Sequence, residues 1–208
     1  MNDIKDKTEK RGCQNGGQTI RQLMYDSTET DGNKEAMMDY IISWTLRHAA
    51  DEFKEEAPIL WDYCRAIFGK LVGEDLKKDT TTLSEICVYK QEEKIDLWVE
   101  FKLNNENHAI LIENKYYGAL RFYRDKEGRE QNQLEIYKQK FDKYYVNKAS
   151  YKLHYCLISC IKRDDEKFNS YYDKAKDLGF TVFSLKELVR EEGPSESDIF
   201  NEFWIEDW

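Results

Sequence analysis

Apolar residues recur at steps of three and four in two stretches of the N-terminal half, one from Lys34 and one after Asp51. This spacing lines one face of a helix, so it predicts two amphipathic helices. Pro58 can either begin the second helix or kink it. The apolar positions of the two helices are Met37, Met38, Ile41, Ile42 and Leu46, and Ile59, Leu60, Tyr63, Ile67 and Phe68. The polar residues 1–33 before them predict a mobile or loosely packed arm.

Further along, apolar positions alternate with polar ones, which predicts β-strands. In the first strand, alternation places Glu85 on the same face as Leu83. In the second strand it places Ile95 on the same face as Leu97, and Asp96 on the opposite face. An asparagine-rich turn then leads to a short apolar run, which predicts a hairpin of the second and third strands. The three predicted strands span residues 83–89, 94–103 and 109–112.

The second half of the chain alternates between helical and strand patterns. The predicted elements are a helix over residues 129–145, a strand over 152–160, a helix over 164–178, a strand over 180–184 and a short helix over 185–189. The aromatic tail, residues 200–208, predicts a docking segment. Three meandering strands followed by helical crossovers predict an α/β fold with a mixed sheet, antiparallel first and then parallel.

The composition is that of a folded protein. Among 208 residues, 40% are hydrophobic and 14% aromatic, which suffices for a core. We expect a single domain over residues 34–208 behind the N-terminal arm of residues 1–33. We also expect a cytoplasmic protein, because no apolar run reaches membrane-spanning length and the first residues lack the apolar segment of a signal peptide. The five cysteines have no paired zinc spacing and are expected to be structural, with Cys64, Cys87 and Cys156 in apolar surroundings.

The net charge of −9 argues against a general binder of polyanions. The charge is unevenly distributed, however, because residues 115–152 contain ten Lys or Arg against five Asp or Glu. Such a basic segment is compatible with nucleic acid, since contacts to the phosphate backbone need a patch rather than a basic protein. The aromatic residues interleaved with it can stack on bases. A solvated helix face and an ordinary loop produce the same pattern, so composition leaves both interpretations open.

One Glu-x-Lys tripeptide stands out by its context. Glu113 and Lys115 come straight after the apolar run of the third predicted strand, two residues apart, so they point to the same side of that strand. Asp96 is available from the partner strand. Other Glu-x-Lys tripeptides, such as the one at Glu52, lie in predicted helices or loops. Carboxylates and an ammonium at the end of a buried hairpin are costly unless they are paired or hold a metal.

These groups suit one kind of chemistry. Two carboxylates and the main-chain carbonyl of Asn114 can supply hard oxygen ligands to Mg²⁺, which keeps several waters. The metal would polarise a phosphate oxygen and acidify a bound water, and Lys115 could orient that water or stabilise the developing charge. The parts suffice for hydrolysis of a phosphodiester bond.

Three motifs resemble the PD-(D/E)XK nuclease superfamily, most closely its bacterial branch with the pattern IDI…IIENK…QL..Y. They are Ile95-Asp96, then Glu113-Asn114-Lys115 after Ala-Ile-Leu-Ile, then Gln133-Leu134-x-x-Tyr137. The resemblance covers about residues 83–160. It implies a restriction-endonuclease-like core with the order αβββαβ. Ile95 stands where the proline of the family name would be, which leaves the ligands in place.

The resemblance also implies roles for individual residues. Asp96 and Glu113 would be metal ligands, Lys115 the catalytic lysine and Gln133 the helix glutamine near the site. Glu85 matches an acid often found on the family's first strand. An acid on the first helix can also join the site, and we favour Glu35. Its competitors are Asp39, Glu52, Glu55 and Glu56. The implied cofactor is Mg²⁺, with Mn²⁺ as a substitute.

The implied activity is hydrolysis of nucleic acid, DNA rather than RNA, either by a homodimer or with a partner protein for targeting. Two alternatives remain at this stage. One is a binding or regulatory module that keeps the nuclease fold without turnover, and the other is a scaffold that self-associates through residues 200–208. Trp98 is expected to pack in the core rather than stack on a base. The three histidines look isolated in sequence, and none is assigned to a metal.

Overall fold

A computed structural model describes residues 34–78, 80–124, 127–148, 150–189 and 193–206. The predicted arm of residues 1–33 lies outside this range. The helices are α1 (Lys34–Arg47), α2 (Pro58–Val72), α3 (Gln133–Tyr145), α4 (Glu166–Lys176) and α5 (Asp198–Phe200), which continues into a π-helical turn, Asn201–Ile205. Within the described ranges, no helix has both the length and the apolar character needed to cross a membrane.

The centre of the fold is a mixed five-stranded sheet. Its strands are β1 (Leu83–Lys90), β2 (Leu97–Leu103) and β3 (Glu106–Lys115), then β6 (Tyr151–Ser159) and β7 (Thr181–Ser184). Two short strands, β4 (Phe122–Arg124) and β5 (Glu130–Asn132), form a separate hairpin. The order in the main sheet is β1-β2-β3-β6-β7, with antiparallel pairing among the first three strands and parallel pairing from β3 onward. The predicted α/β class with a mixed sheet is confirmed.

The two connections of β3, a tight turn before it and a helical crossover after it, explain the change from antiparallel to parallel pairing. Asn104 and Asn105 both adopt positive φ angles, 51° and 64°, which is the backbone of a two-residue hairpin turn. This turn folds β3 back onto β2. The connection from β3 to β6 instead passes through α3, and a helical crossover returns the chain parallel to the strand it left.

Hydrophobic side chains bury both faces of the sheet. On one face, Val99 and Ile110 pack with α1, α2 and the aromatic tail. On the other, Trp98 and Leu111 pack with α3 and α4. Trp98 is 4% exposed and donates from Nε1 to the Tyr145 hydroxyl over 2.8 Å, so its expected packing role is confirmed. Ile95 was expected to share a face with Leu97, but it packs with Trp98 instead because it precedes β2 and follows a 3₁₀ turn.

A β-bulge interrupts the alternation of β1. Ser84 pairs with Lys102 and Cys87 pairs with Glu100, so one extra residue is inserted between them. Glu85 sits in the bulge with a φ of 53°. Leu83 therefore faces the core, whereas Glu85 and Cys87 are exposed. The predictions that Glu85 shares the face of Leu83 and that Cys87 lies in apolar surroundings are wrong for this reason.

Two further boundaries depend on specific hydrogen bonds. Helix α3 begins at Gln133 rather than at residue 129, because the Asn132 side chain accepts from the Glu135 N–H over 3.0 Å and caps the helix. In the tail, Phe200 and Trp204 are buried, and Trp204 donates from Nε1 to Thr45 Oγ1 over 2.9 Å. The tail thus docks on the chain's own core, as predicted, while residues 207–208 lie outside the described ranges.

Candidate active site

Glu113 and Lys115 end strand β3 at the point where the strand loses a neighbour. The last pair between β2 and β3 joins Leu97 to Ile112, so β3 continues beyond the β2 ladder. The two side chains point to the same side, as alternation predicts, and Lys115 Nζ donates to Glu113 Oε1 over 2.5 Å. They are 1% and 5% exposed. A buried ion pair therefore lies at an open edge of the sheet.

Asp96 takes the place of the missing strand neighbour. It lies one residue before β2, and its Oδ2 accepts from the main-chain N–H of Asn114 over 2.8 Å. Its Oδ1 accepts from Gln91 Nε2 over 3.0 Å. These contacts hold the Asp96 carboxylate close enough to Glu113 that each influences the ionisation of the cluster. Asp96 was expected within a strand, but it reaches the same place from the turn before it.

The side chain and the main chain of Asn114 bond to different acids. Its side chain points away from Glu113 and donates from Nδ2 to Asp39 Oδ1 over 2.8 Å. Its main-chain N–H is directed toward Asp96, and in an extended strand the carbonyl of a residue lies on the same edge as its N–H. The carbonyl that was expected to serve as a metal ligand therefore faces the Asp96 side, whereas the amide side chain has a structural role.

Gln133 joins three segments. Its Nε2 donates to Glu113 Oε1, its Oε1 accepts from the Arg121 N–H over 2.8 Å, and its own N–H donates to the Arg121 carbonyl over 2.9 Å. The side chain is 3% exposed. It fixes the orientation of Glu113 and ties the segment that enters β4 to the start of α3.

Two acids of α1 reach the same cleft. Glu35 lines it and accepts from the Tyr116 N–H at Oε1 over 3.2 Å. Asp39, one helical turn later, accepts from Asn114 at Oδ1 and from Gln91 Nε2 at Oδ2 over 3.1 Å. The competing acids after α1 are exposed and do not line the cleft. From the sequence, Asp39 was only one of several candidates for the acid that the first helix adds to the site. Its role could not be predicted because it depends on contacts with two distant segments.

Glu85 does not join this cluster. It bonds Lys102 at 2.7 Å, near the opposite end of β2. Lys102 lies six positions after Asp96, which along a strand amounts to about 20 Å. The bulge also turns the Glu85 side chain into solvent, where it is 63% exposed. The expectation of a metal ligand at Glu85 is therefore corrected.

Burial and mutual repulsion disturb the ionisation of the acids. Burial, followed by the charge of Asp96, raises the pKa of Glu113 well above its ordinary value, and Lys115 offsets only part of this. Burial also raises the pKa of Asp96, against the hydrogen bond from Asn114. The pKa of Asp39 rises to about 6 through burial and the charge of Asp96. Burial alone lowers the pKa of Lys115, but Glu113 raises it and the net shift is upward.

The residues present fit a hard divalent cation. Glu113 Oε2 is buried and has no hydrogen-bond partner among the residues that the structure describes, which is costly for a carboxylate oxygen. Asp96 lies beside it, and the Asn114 carbonyl is on the same edge. In the described ranges no three His, Cys, Asp or Glu side chains already converge as a metal cluster. Two carboxylates and one carbonyl match Mg²⁺, which retains several of its waters.

The cluster lies at the base of a cleft of about 650 Å³. Its walls are α1, the turn between β1 and β2, and the segment entering the β4–β5 hairpin. Within the described part of the chain, the charged residues that line the cleft are four basic, Lys90, Lys94, Lys115 and Arg121, and four acidic, Glu35, Asp39, Asp96 and Glu113. The sequence did not single out Gln91, which bridges Asp39 and Asp96, because an isolated glutamine in a turn carries no recognisable signal.

His108 and His154, which looked isolated in sequence, are neighbours on β3 and β6. His108 Nδ1 and His154 Nε2 are 3.0 Å apart, and the two rings are nearly parallel, at 8°, with their centroids 5.3 Å apart. Burial lowers the pKa of both imidazoles, that of His154 to about 4. They pack beside Phe101, toward the end of β3 away from Glu113, and take no part in the cleft.

Comparison of the chain with protein-family models, curated proteins and solved structures finds no match.

Proposed function

We propose that the chain is a metal-dependent nuclease of the PD-(D/E)XK type, which hydrolyses phosphodiester bonds in nucleic acid, DNA rather than RNA. The observation that carries the proposal is the buried, unpartnered Oε2 of Glu113 beside Asp96, with Lys115 alongside. The order of one helix, three antiparallel strands, a helix and a parallel strand supports a restriction-endonuclease-like core.

In this proposal Asp96, Glu113 and the Asn114 carbonyl hold Mg²⁺ or Mn²⁺. The bound ion supplies polarisation of the scissile phosphate and an acidified water as nucleophile. Lys115 has three N–H donors, of which one meets Glu113, and the others suit a phosphate oxygen or the attacking water. Its positive charge stabilises the negative charge that develops on the phosphate.

Gln133 and Asp39 act as positioning residues. Gln133 donates to Glu113 Oε1 and so leaves Oε2 available to a cation. Asp39 accepts a hydrogen bond from the Asn114 side chain and so holds this residue in place. The main-chain N–H of Asn114 in turn orients Asp96. Glu35 lies at the wall of the same cleft and adds negative potential for a cation. Such supporting hydrogen bonds tune metal affinity and ligand orientation.

One observation favours the alternative, a module that keeps the fold without turnover. Both Lys115 and Gln133 donate to Glu113 Oε1, so this oxygen is already hydrogen-bonded within the protein. Such hydrogen bonds can serve stability alone. A module of this kind would bind its target with no requirement for Mg²⁺, whereas a nuclease requires the ion for cleavage.

A cleavage assay separates the two. Glu113→Gln and Asp96→Asn are expected to reduce Mg²⁺-dependent hydrolysis of DNA at least about a hundredfold while the fold is kept. The matched control is Glu85→Gln, because Glu85 also pairs with a strand lysine but lies at the far end of the sheet. Activity that survives both site changes, or that falls equally in Glu85→Gln, would contradict the proposal.

A further inference from the structure

The groups at the base of the cleft are almost fully buried. Glu113, Lys115 and Gln133 are at most 5% exposed and lie behind walls on three sides. The cleft volume of about 650 Å³ is that of a small-molecule site. The bases of a duplex are stacked inside the helix, whereas a single strand can offer a phosphate and an unstacked base to a site of this size.

One wall of the cleft presents a cation and an aromatic ring side by side. Arg121 and Tyr123 are two residues apart at the start of β4, and both line the cleft. Between them, Phe122 points to the other side, where Lys174 Nζ lies 5.0 Å from its ring centroid. Tyr123 is 41% exposed, so part of the residue is open to a ligand. An exposed tyrosine beside an arginine suits a base and its adjoining phosphate.

The wall formed by α1 and the end of β1 also presents an aromatic ring next to a cation. Tyr40 of α1 is 65% exposed and lines the cleft together with Lys90 at the end of β1. Lys90 Nζ lies 2.8 Å from the centroid of the Tyr40 ring. Lys94 lines the same side. Two aromatic–cation pairs therefore flank the buried carboxylates.

The charge of the cleft makes binding of a polyanion depend on a cation. The four basic and four acidic lining residues balance. A bound divalent ion would give the cleft an excess of positive charge and relieve the repulsion between the acids and a phosphate. Single strands should therefore bind well only when a divalent ion is present.

The wall that carries Tyr123 is also coupled to the buried cluster. The main chain of Arg121 exchanges two hydrogen bonds with Gln133, and Gln133 donates to Glu113. A strand held by Arg121 and Tyr123 is thus placed in register with the Glu113 carboxylate.

From these relationships we infer that the substrate is single-stranded nucleic acid, which lies across the cleft between Tyr40 with Lys90 on one wall and Tyr123 with Arg121 on the other. The inference rests on the proposed nuclease function and names its substrate class. Phosphates meet the cations, bases stack on the two tyrosines, and no sequence is read, because every base has a face that can stack.

The test measures binding of a fluorescein-labelled thymidine oligonucleotide of about twelve nucleotides by fluorescence anisotropy, against a duplex of the same length. Ca²⁺ replaces Mg²⁺ in the assay, because it accepts the same oxygen ligands with looser geometry. The single strand should bind at least about tenfold more tightly than the duplex, and Tyr123→Ala and Tyr40→Ala should each weaken that binding about tenfold. A uridine oligonucleotide of equal length reports whether the strand is DNA or RNA.

Two control variants remove exposed aromatics outside the cleft. Phe122→Ala alters the same strand on its other side, and Tyr144→Ala alters an exposed tyrosine on α3. Both should bind within about twofold of the unaltered protein, since stacking at the cleft is retained. Equal affinity for duplex and single strand, no binding of either, or equal losses in the control variants would overturn the inference. If this binding pattern holds but neither DNA is cleaved with Mg²⁺, the binding surface stands and the proposed nuclease function fails.

Discussion

Lys115 donates from Nζ to Glu113 Oε1 over 2.5 Å, and less than a tenth of either side chain is exposed. The sheet contains a second pair of the same residue types, Lys102 with Glu85 at 2.7 Å, in which the side chains are 35% and 63% exposed. If Lys102 and Glu85 separate, water can solvate both charges, whereas water cannot reach the charges of Lys115 and Glu113. With Asp96 beside it, the buried pair also leaves an uncompensated negative charge. The proposed metal site depends on this difference in burial between the two ion pairs.

Removal of the buried ammonium should destabilise the protein. In Lys115→Met the Glu113 carboxylate loses its charge partner, and we expect the free energy of unfolding at neutral pH to fall by about 3 kcal/mol. The loss should shrink in acid, because a protonated Glu113 needs no cation. Urea unfolding measures it. Glu113→Gln combined with Lys115→Met should recover most of the loss, and Lys102→Met should cost under about 1 kcal/mol. A Lys115→Met protein as stable as the unaltered one would show that the buried charge is compensated elsewhere.

Asp39 should make stability fall as pH rises through mildly acidic values. Its pKa increases from 3.8 to about 6 on folding, so the folded state binds the extra proton. The resulting stabilisation is complete below about pH 4 and is lost as the pH rises through about 6, and it amounts to about 3 kcal/mol. Asp39→Asn should flatten this part of the curve of unfolding free energy against pH. Asp173→Asn, which alters an exposed acid of α4, should leave it unchanged. The same slope in both variants would contradict the role given to Asp39.

Gln133 should affect catalysis through Glu113 rather than through contact with substrate. Gln133→Met retains the length of the side chain but removes the donor to Glu113 and the acceptor for Arg121. We expect kcat to fall about tenfold to a hundredfold and the Mg²⁺ concentration for half-maximal rate to rise. Gln139→Met, at an exposed position of the same helix, is the matched control. A loss confined to KM for the nucleic acid, with no change in the Mg²⁺ requirement, would mean that Gln133 acts elsewhere.

The part of the site that follows from local pattern was predictable from the sequence. Alternation along β3 places Glu113 and Lys115 on one side, and an apolar run before them indicates burial. The antiparallel start and parallel continuation of the sheet follow from loop lengths and helical crossovers. These features depend on a few neighbouring residues, and for this reason they can be predicted from the sequence.

The features that the sequence did not reveal depend on register or on distant contacts. The bulge at Glu85 shifts one strand by a residue, and no simple alternation signals it. Asp39 gains its importance from Asn114 and Gln91, which lie far along the chain. The β4–β5 hairpin was not predicted, since strands of three residues have no measurable period: β4 lies in the charged stretch before residue 129, and β5 lies within the helix predicted over residues 129–145. His108 meets His154 only through the pairing of β3 with β6.

The aromatic tail should contribute to the stability of the single chain rather than to self-association. Trp204 is 1% exposed and bonds Thr45 through its indole N–H. Trp204→Ala should lower the free energy of unfolding by about 3–5 kcal/mol. Ile199→Ala, at a residue 50% exposed in the same segment, should cost under about 1 kcal/mol. Size-exclusion chromatography at several concentrations should give the same elution volume for both variants as for the unaltered protein. A concentration-dependent shift that Trp204→Ala abolishes would instead support the scaffold hypothesis.

The central claim is that two acids gather beside Lys115 because a hard cation belongs there. Its most direct test is a crystal structure after a soak in Mn²⁺, with the ion located by its anomalous scattering. We predict a peak coordinated by Asp96, by Glu113 through Oε2 and by the main-chain carbonyl of Asn114, with waters in the remaining positions. A map that shows no peak at this cluster at saturating Mn²⁺, with the Lys115–Glu113 bond unchanged, would contradict the claim.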